Sequence, residues 1–320
     1  MILLQVDNLN LEVQRGKNSW PLLRQISFTL QSGEKLGIVG ESGSGKTLLA
    51  RSLIKLLPSS ITLSSGTVAY EGQVLSAMSE KELQKIRGKK VGMVFQDPLT
   101  FLNPTSKIET QITEPYRLHF PKATRQEIKQ RALELLNQVG IPHPELRLSQ
   151  YPHELSGGLR QRVVIAIALS AEPELLIADE PTTALDVTVQ AQIMQLLSEL
   201  QVQKSTILIS HDLSLIASFC DRVIVMYAGQ IVEDAPIKQL FRAPQHPYTQ
   251  LLLKSMPTLS THDKLASIPG TPPDLSKLTV GCPFAPRCPF AFDKCQNEEP
   301  PLFNISSSYQ SRCWLHNEEK

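Results

Sequence analysis

At 320 residues the chain has room for one large domain and an appendage, and 32 basic against 31 acidic residues leave a net charge of +1, with no electrostatic footprint for nucleic acid. The start, Met1 to Asp7, has no basic region ahead of its apolar residues, so it does not read as a secretory signal, and a cytosolic protein is expected. The longest unbroken apolar run, Val163 to Leu169, falls far short of the roughly 20 residues of a spanning helix, so any membrane role must come through a partner.

In chain order, Leu3 to Val13 and Ile26 to Leu30 read as strands joined by a polar turn at Arg15-Gly16-Lys17-Asn18. A short apolar strand, Lys35 to Gly40, leads into Gly40-Glu41-Ser42-Gly43-Ser44-Gly45-Lys46-Thr47, and Thr47 to Leu57 carries leucines at helical spacing up to a stop at Pro58. The octet fits G-x-x-x-x-G-K-[ST]. In such a loop, backbone N–H groups converge on phosphate oxygens at a helix N-terminus, the lysine reaches the outer phosphates and the hydroxyl meets magnesium. Gly40, Ser42, Gly43, Ser44, Gly45, Lys46 and Thr47 are therefore candidate nucleotide ligands, with ATP and Mg²⁺ as the expected pair.

Thr67 to Tyr70 and Gln73 to Leu75 flank Glu71-Gly72 as a hairpin, giving an antiparallel subdomain beside a nucleotide core. The core strands are Val91 to Phe95, Leu175 to Ala178 and Thr206 to Ile209, apolar on both faces as buried parallel strands are. Between them, residues 97–170 are expected to be a helical subdomain. Its plainest helix is Thr124 to Val139, where Thr124 and Glu127 make a capping box and Gly140 a stop. Arg222 to Tyr227 and Gln230 to Glu233 form a closing hairpin. Prolines then accumulate, and the division expected is 1–245 for the nucleotide-binding domain and 246–320 for a C-terminal extension rich in proline and cysteine.

The order of motifs is more specific than any one of them: the phosphate loop, Gln96 after a strand, Leu155-Ser156-Gly157-Gly158-Leu159-Arg160-Gln161-Arg162, Leu175 to Glu180, Ala184-Leu185-Asp186, and His211. On these residues the chain resembles the ABC-transporter ATPase family over roughly residues 1–240. The fold implied is α/β, a P-loop NTPase core of ABC ATPase type with antiparallel β and helical subdomains. In that family, the phosphate loop of one subunit and the Ser-Gly-Gly segment of another enclose one ATP. Gly157 and Gly158 before a helix suit this role physically, as backbone donors at a positive helix end.

The resemblance implies a role for each further residue. Asp179 partners magnesium, together with Thr47; Gln96, also a catalytic candidate, touches magnesium or water, and Glu180 takes a proton from the attacking water or holds that water in line. His211 donates toward the γ-phosphate and steadies the water at Glu180, Ser156, Gly157 and Gly158 face a partner's nucleotide, and Asp186, grouped with the nucleotide-binding residues, contacts the partner subunit. Asp186 also reads as a helix N-cap ahead of Val187 to Leu200. Where the family stacks an aromatic ring on adenine this chain has Val13, and its nearest aromatic is Trp20.

Phe95 to Pro104, His246 to Leu253 and Ile268 to Leu275 narrow the resemblance to ATPase subunits of dipeptide and oligopeptide importers, a group with nickel and other small-solute relatives. The partners implied are a second homologous ATPase, two integral-membrane permease subunits and an external solute-binding protein, with this chain peripheral on the cytoplasmic face of the inner membrane. Cys282, Cys288, Cys295 and Cys313 are spaced C-x5-C-x6-C-x17-C. In a cytosolic protein this argues for thiolate metal ligands over disulfides, either iron-sulfur or zinc; the resemblance implies a [4Fe-4S] cluster, with Zn²⁺ as the alternative. Cys220 reads as a core thiol. Because the cysteines follow every nucleotide motif, their loss is expected to disturb the tail and not ATP hydrolysis. A DNA-directed ABC-type ATPase is disfavoured because no heptads separate Lys46 from Ser156, and a regulator without turnover because Lys46, Asp179, Glu180 and His211 are all present.

Overall fold

The computed structural model describes residues 1–16, 18–183, 185–255, 268–277 and 280–317, so Lys17 of the expected first turn and Ala184 lie outside the described residues. Two compact units result: Met1–Gln31, Lys35–Ser76 and Ser210–Lys320 in the first, Ser32–Glu34 and Ala77–Ile209 in the second.

In the first unit, Ile2–Arg15 and Asn18–Gln31 form one long antiparallel hairpin, extended on the first strand's other edge by Ile61–Tyr70 and then Gln73–Val74. Leu4, Val6, Leu9 and Leu11 turn inward and are all but fully buried. The period slips between Val6 and Leu9, where the register shifts and Asn8 adopts a left-handed φ of 44°. That bulge lets both apolar pairs face the same side despite the odd spacing. The same unit holds Lys35–Val39 parallel to Arg222–Tyr227, followed by Gln230–Pro236, Tyr309–Ser311 and Phe303–Ser306 in antiparallel succession. Two strands of the C-terminal region thus extend the sheet that begins beside the phosphate loop.

The helix after the phosphate loop is Lys46–Leu53, a turn shorter than the leucine spacing predicts. The Leu56 N–H bonds back to the Arg51 carbonyl at 2.8 Å and the Lys55 N–H to Ser52 at 3.0 Å, with Lys55 left-handed at φ 54°. This is a Schellman ending with lysine where glycine is usual, which is why the stop is invisible in the sequence and Pro58 is mistaken for it.

The second unit is built on three parallel strands, Val91–Val94, Leu175–Asp179 and Ser205–Ile209, with Leu175–Asp179 in the middle. All three are buried along their whole length, as strands covered on both faces must be. The unit's longer helices are Ile108–His119, Arg125–Gln138, Gly157–Leu169 and Val187–Leu200. The capping box is present: Glu127 accepts from the Thr124 N–H at 2.6 Å and donates its own N–H to the Thr124 hydroxyl at 3.3 Å.

Candidate functional site

The phosphate loop turns where only glycine fits. A Cβ on Gly40, at φ 152°, would lie 2.2 Å from the Met226 carbonyl oxygen, and one on Gly45, at φ 101°, would lie 2.6 Å from Leu23 Cδ2. Gly43 is left-handed as well, at φ 81°. The turn lets the backbone double back and present its N–H groups ahead of the helix that starts at Lys46. Lys46 is buried, and its Nζ donates to the Gly40 carbonyl at 2.8 Å and the Glu41 carbonyl at 3.0 Å. The Ser44 hydroxyl is buried without a hydrogen-bond partner among the described residues. A buried cation and an orphaned hydroxyl inside a glycine turn are the donor set of an anion site. Ser42 lies in the loop between Glu41 and Gly43, and Thr47 in the first turn of the helix.

His211 follows strand Ser205–Ile209 by two positions and is exposed. The next residue, Asp212, caps helix Leu213–Phe219 by accepting from the Ser214 N–H at 2.7 Å.

In the second unit, Asp179 ends the middle strand and is buried. Glu180 follows at φ 46°, a left-handed conformation unusual for this residue type, with its N–H on the Ile209 carbonyl at 2.9 Å. The structure brings Gln96 and Glu180 together across 84 positions: Gln96 Nε2 donates to Glu180 Oε2 at 3.0 Å. The same oxygen accepts from the Thr183 hydroxyl at 2.8 Å, so two side chains hold that carboxylate oxygen in place. Thr183 was not singled out in the sequence; its only signal is the i+3 spacing from Glu180.

Ser156 and Gly157 are exposed at the start of helix Gly157–Leu169, where the Ser156 hydroxyl accepts from the Leu159 N–H at 3.4 Å. Gly158 is packed more closely, since a Cβ there would lie 3.1 Å from Val189 Cγ1. Asp186 caps helix Val187–Leu200, accepting from the Val189 N–H at 2.9 Å, and is exposed. Trp20 pairs with Val13 across the first hairpin.

Cys282, Cys288, Cys295 and Cys313 line one small cavity with His246, Phe284 and Trp314. No disulfide links any of the five cysteines. Burial, reinforced by the charges of neighbouring cysteines, pushes the Cys282 thiol up to about 11 and the Cys313 thiol up to about 12. Among the described residues no group of three or more His, Cys, Asp or Glu side chains is arranged as a metal site, and nothing in the structure supports the expected cluster beyond the shared cavity. Cys220 is buried elsewhere, its sulfur beside Gly37, and burial raises its thiol as an ordinary core position does.

Sequence order does not keep the cysteine segment away from the loop. Arg287, next to Cys288, forms a bidentate pair with Glu41 of the phosphate loop at 2.6 and 3.0 Å. Neither residue was singled out in the sequence, because nothing local to either position points to the other.

A glycine turn ahead of a helix in one unit, and in the other an aspartate at a core strand end followed by a glutamate, are the local features of a P-loop ATPase cassette. Residues 23–183 match the family described as ABC transporter, and residues 232–295 match the oligopeptide/dipeptide transporter C-terminal region. The oligopeptide transport ATP-binding protein OppD of Bacillus subtilis is 50% identical over 318 residues, covering 98% of this chain and 88% of that protein. The dipeptide transport ATP-binding protein DppD of Escherichia coli is 47% identical over 320 residues, covering 98% and 96%. The solved dimeric structure of MJ0796, a bacterial ABC transporter cassette, superposes with a TM-score of 0.67 at 29% identity, covering 73% of this chain and 99% of that one. The chain belongs to the ABC transporter family as an ATP-binding, ATP-hydrolysing subunit of the dipeptide/oligopeptide importer branch. Among the described residues, no helix is long and apolar enough to cross a membrane.

Proposed function

We propose that this chain is the motor of a peptide importer, coupling ATP binding and hydrolysis to passage of dipeptides or oligopeptides through a separate membrane pair. The observation that carries the reading is the presence in one chain of a phosphate loop with a buried Lys46 and of the oligopeptide/dipeptide transporter C-terminal region. Lys46 and backbone N–H groups of the phosphate loop other than that of Glu41 hold the outer phosphates. Thr47, Asp179 and Gln96 supply oxygen donors suited to a hard cation; magnesium, when bound with ATP, neutralises the charge that develops on the phosphates. Glu180, held by Gln96 and Thr183, orients the attacking water and takes its proton, and His211 donates toward the γ-phosphate.

Ser156, Gly157, Gly158 and Asp186 are assigned to the nucleotide of a partner ATPase; the exposure of Ser156, Gly157 and Asp186 supports this. The working assembly is then this chain, a second homologous ATPase, two permease subunits and an external solute-binding protein, with the ATPases peripheral on the cytoplasmic face. Residues 1–245 form the nucleotide-binding domain, with 97–170 as its helical part, and 246–320 form the extension. Reconstitution into liposomes tests the assignment: peptide uptake with ATP inside requires this chain together with the permease pair and the second ATPase. Full uptake and ATPase in the absence of the second ATPase would rule out the heteromeric assembly, and uptake without this chain would remove it from the importer.

We assign Cys282, Cys288, Cys295 and Cys313 to an iron-sulfur cluster. The support is that four sulfurs line one cavity with no disulfide among them; a cluster bound there would take them as thiolates. Protein purified without oxygen is expected to carry iron and acid-labile sulfide in near-equal amounts. Each of the four Cys→Ser variants should lose them and Cys220→Ser should keep them. Zinc with no iron would replace the cluster by a zinc centre.

A further inference from the structure

We infer that Arg287 is a positioning residue of the phosphate loop: it neutralises Glu41 and holds the loop's first turn in shape, so that the cysteine-bearing segment helps to set ATP affinity. The inference rests on reading residues 40–47 as the ATP site. Glu41 is an anionic side chain inside a loop whose task is to gather positive potential around a triphosphate, and left alone it would repel the ligand. The structure supplies a counter-charge from 246 positions away. The Arg287 guanidinium grips both Glu41 oxygens, at 2.6 and 3.0 Å, and its side chain is 5% exposed against 23% for Glu41. A fork on a carboxylate in so enclosed a setting fixes orientation as well as charge.

Arg287 is itself held on every side. Its Nε donates to the Pro269 carbonyl at 2.7 Å and one terminal nitrogen to the Tyr227 hydroxyl at 3.2 Å. A second clamp meets the same loop residue from another element: the Glu41 N–H donates to the Tyr248 hydroxyl at 2.8 Å. Tyr227, Tyr248 and Phe284 pack with ring centroids 4.7 to 5.5 Å apart, tying strand Arg222–Tyr227, helix Pro247–Lys254 and the segment between Cys282 and Arg287 into one aromatic cluster. Glu41 is therefore bound through its side chain and its N–H to the C-terminal region, while its carbonyl accepts from Lys46. The loop's shape and its net charge both depend on residues that sequence order puts after every nucleotide motif.

The test is a cycle of variants read by titrating the purified full-length chain with a fluorescent ATP analogue and magnesium. Arg287→Met leaves Glu41 uncompensated, so its Kd should rise about tenfold. Glu41→Gln should remain within about threefold of wild type, and Arg287→Met with Glu41→Gln should return to within about threefold, because the repelling charge is gone. Arg287→Lys should recover most of the affinity, and raising salt to about 0.5 M should shrink the Arg287→Met defect. A residue that only braced the tail would give a double variant at least as weak as the single one, and that result overturns the inference, as does an Arg287→Met affinity equal to wild type. Circular dichroism checks folding; if Arg287→Met does not fold, Arg287→Gln carries the same comparison. Failure of the wild-type chain to bind the analogue would instead reject the reading of residues 40–47.

Discussion

Glu180→Gln is expected to bind ATP as tightly as wild type and to hydrolyse it about 10² to 10⁴ times more slowly, the range in which a positioned general base acts. The amide keeps the shape of the carboxyl group and retains an oxygen to accept from the Thr183 hydroxyl, so the local hydrogen bonds survive. What it loses is the ability to take a proton from water. The left-handed backbone at φ 46° is unaffected by the change, because Glu and Gln have the same steric demands there. Single-turnover hydrolysis together with nucleotide titration separates the two effects. Turnover at the wild-type rate would take Glu180 out of the proton-transfer role, and a parallel loss of binding would mean that its charge serves affinity instead.

Lys46→Ala is expected to act at the earlier step, weakening ATP binding by about 10- to 100-fold, the worth of one or two hydrogen bonds to a charged group. In the structure the ammonium group rests on the Gly40 and Glu41 carbonyls of its own loop. A triphosphate offers it a full negative charge, a stronger acceptor than either carbonyl. Truncation removes that gain and leaves Glu41 as the loop's acidic side chain. The chain should still fold, since alanine is a good helix former at the start of helix Lys46–Leu53 and the left-handed glycines of the turn are unchanged. A Kd equal to wild type would exclude Lys46 from phosphate binding.

The parts of the site legible in the sequence are those whose chemistry is local. Gly40 and Gly45 mark a turn because a side chain at either would strike a neighbour, and the lysine and threonine that follow sit one and two positions into the helix. Thr124 and Glu127 announce a helix start because the bonds that satisfy the free N–H groups run between residues three apart. The same kind of reading fails at Lys55, where a helix ends on a left-handed lysine that carries no glycine signature. It fails also at Asn8, where a bulge re-aims a strand whose alternation is out of step.

By itself the sequence determined the glycine loop, the buried strands and the caps, since each is written in the spacing of residues that touch through the backbone of a single element, while the order of motifs along the chain carried the family resemblance. Only the tertiary structure decided which distant groups meet: Gln96 and Thr183 on one oxygen of Glu180, four cysteines around one cavity, and Arg287 and Tyr248 on Glu41. The physical reason is that a hydrogen bond or ion pair between elements depends on where the chain returns after many turns. An arginine followed by cysteine, or a glutamate inside a glycine loop, has the same local chemistry whether or not its partner arrives.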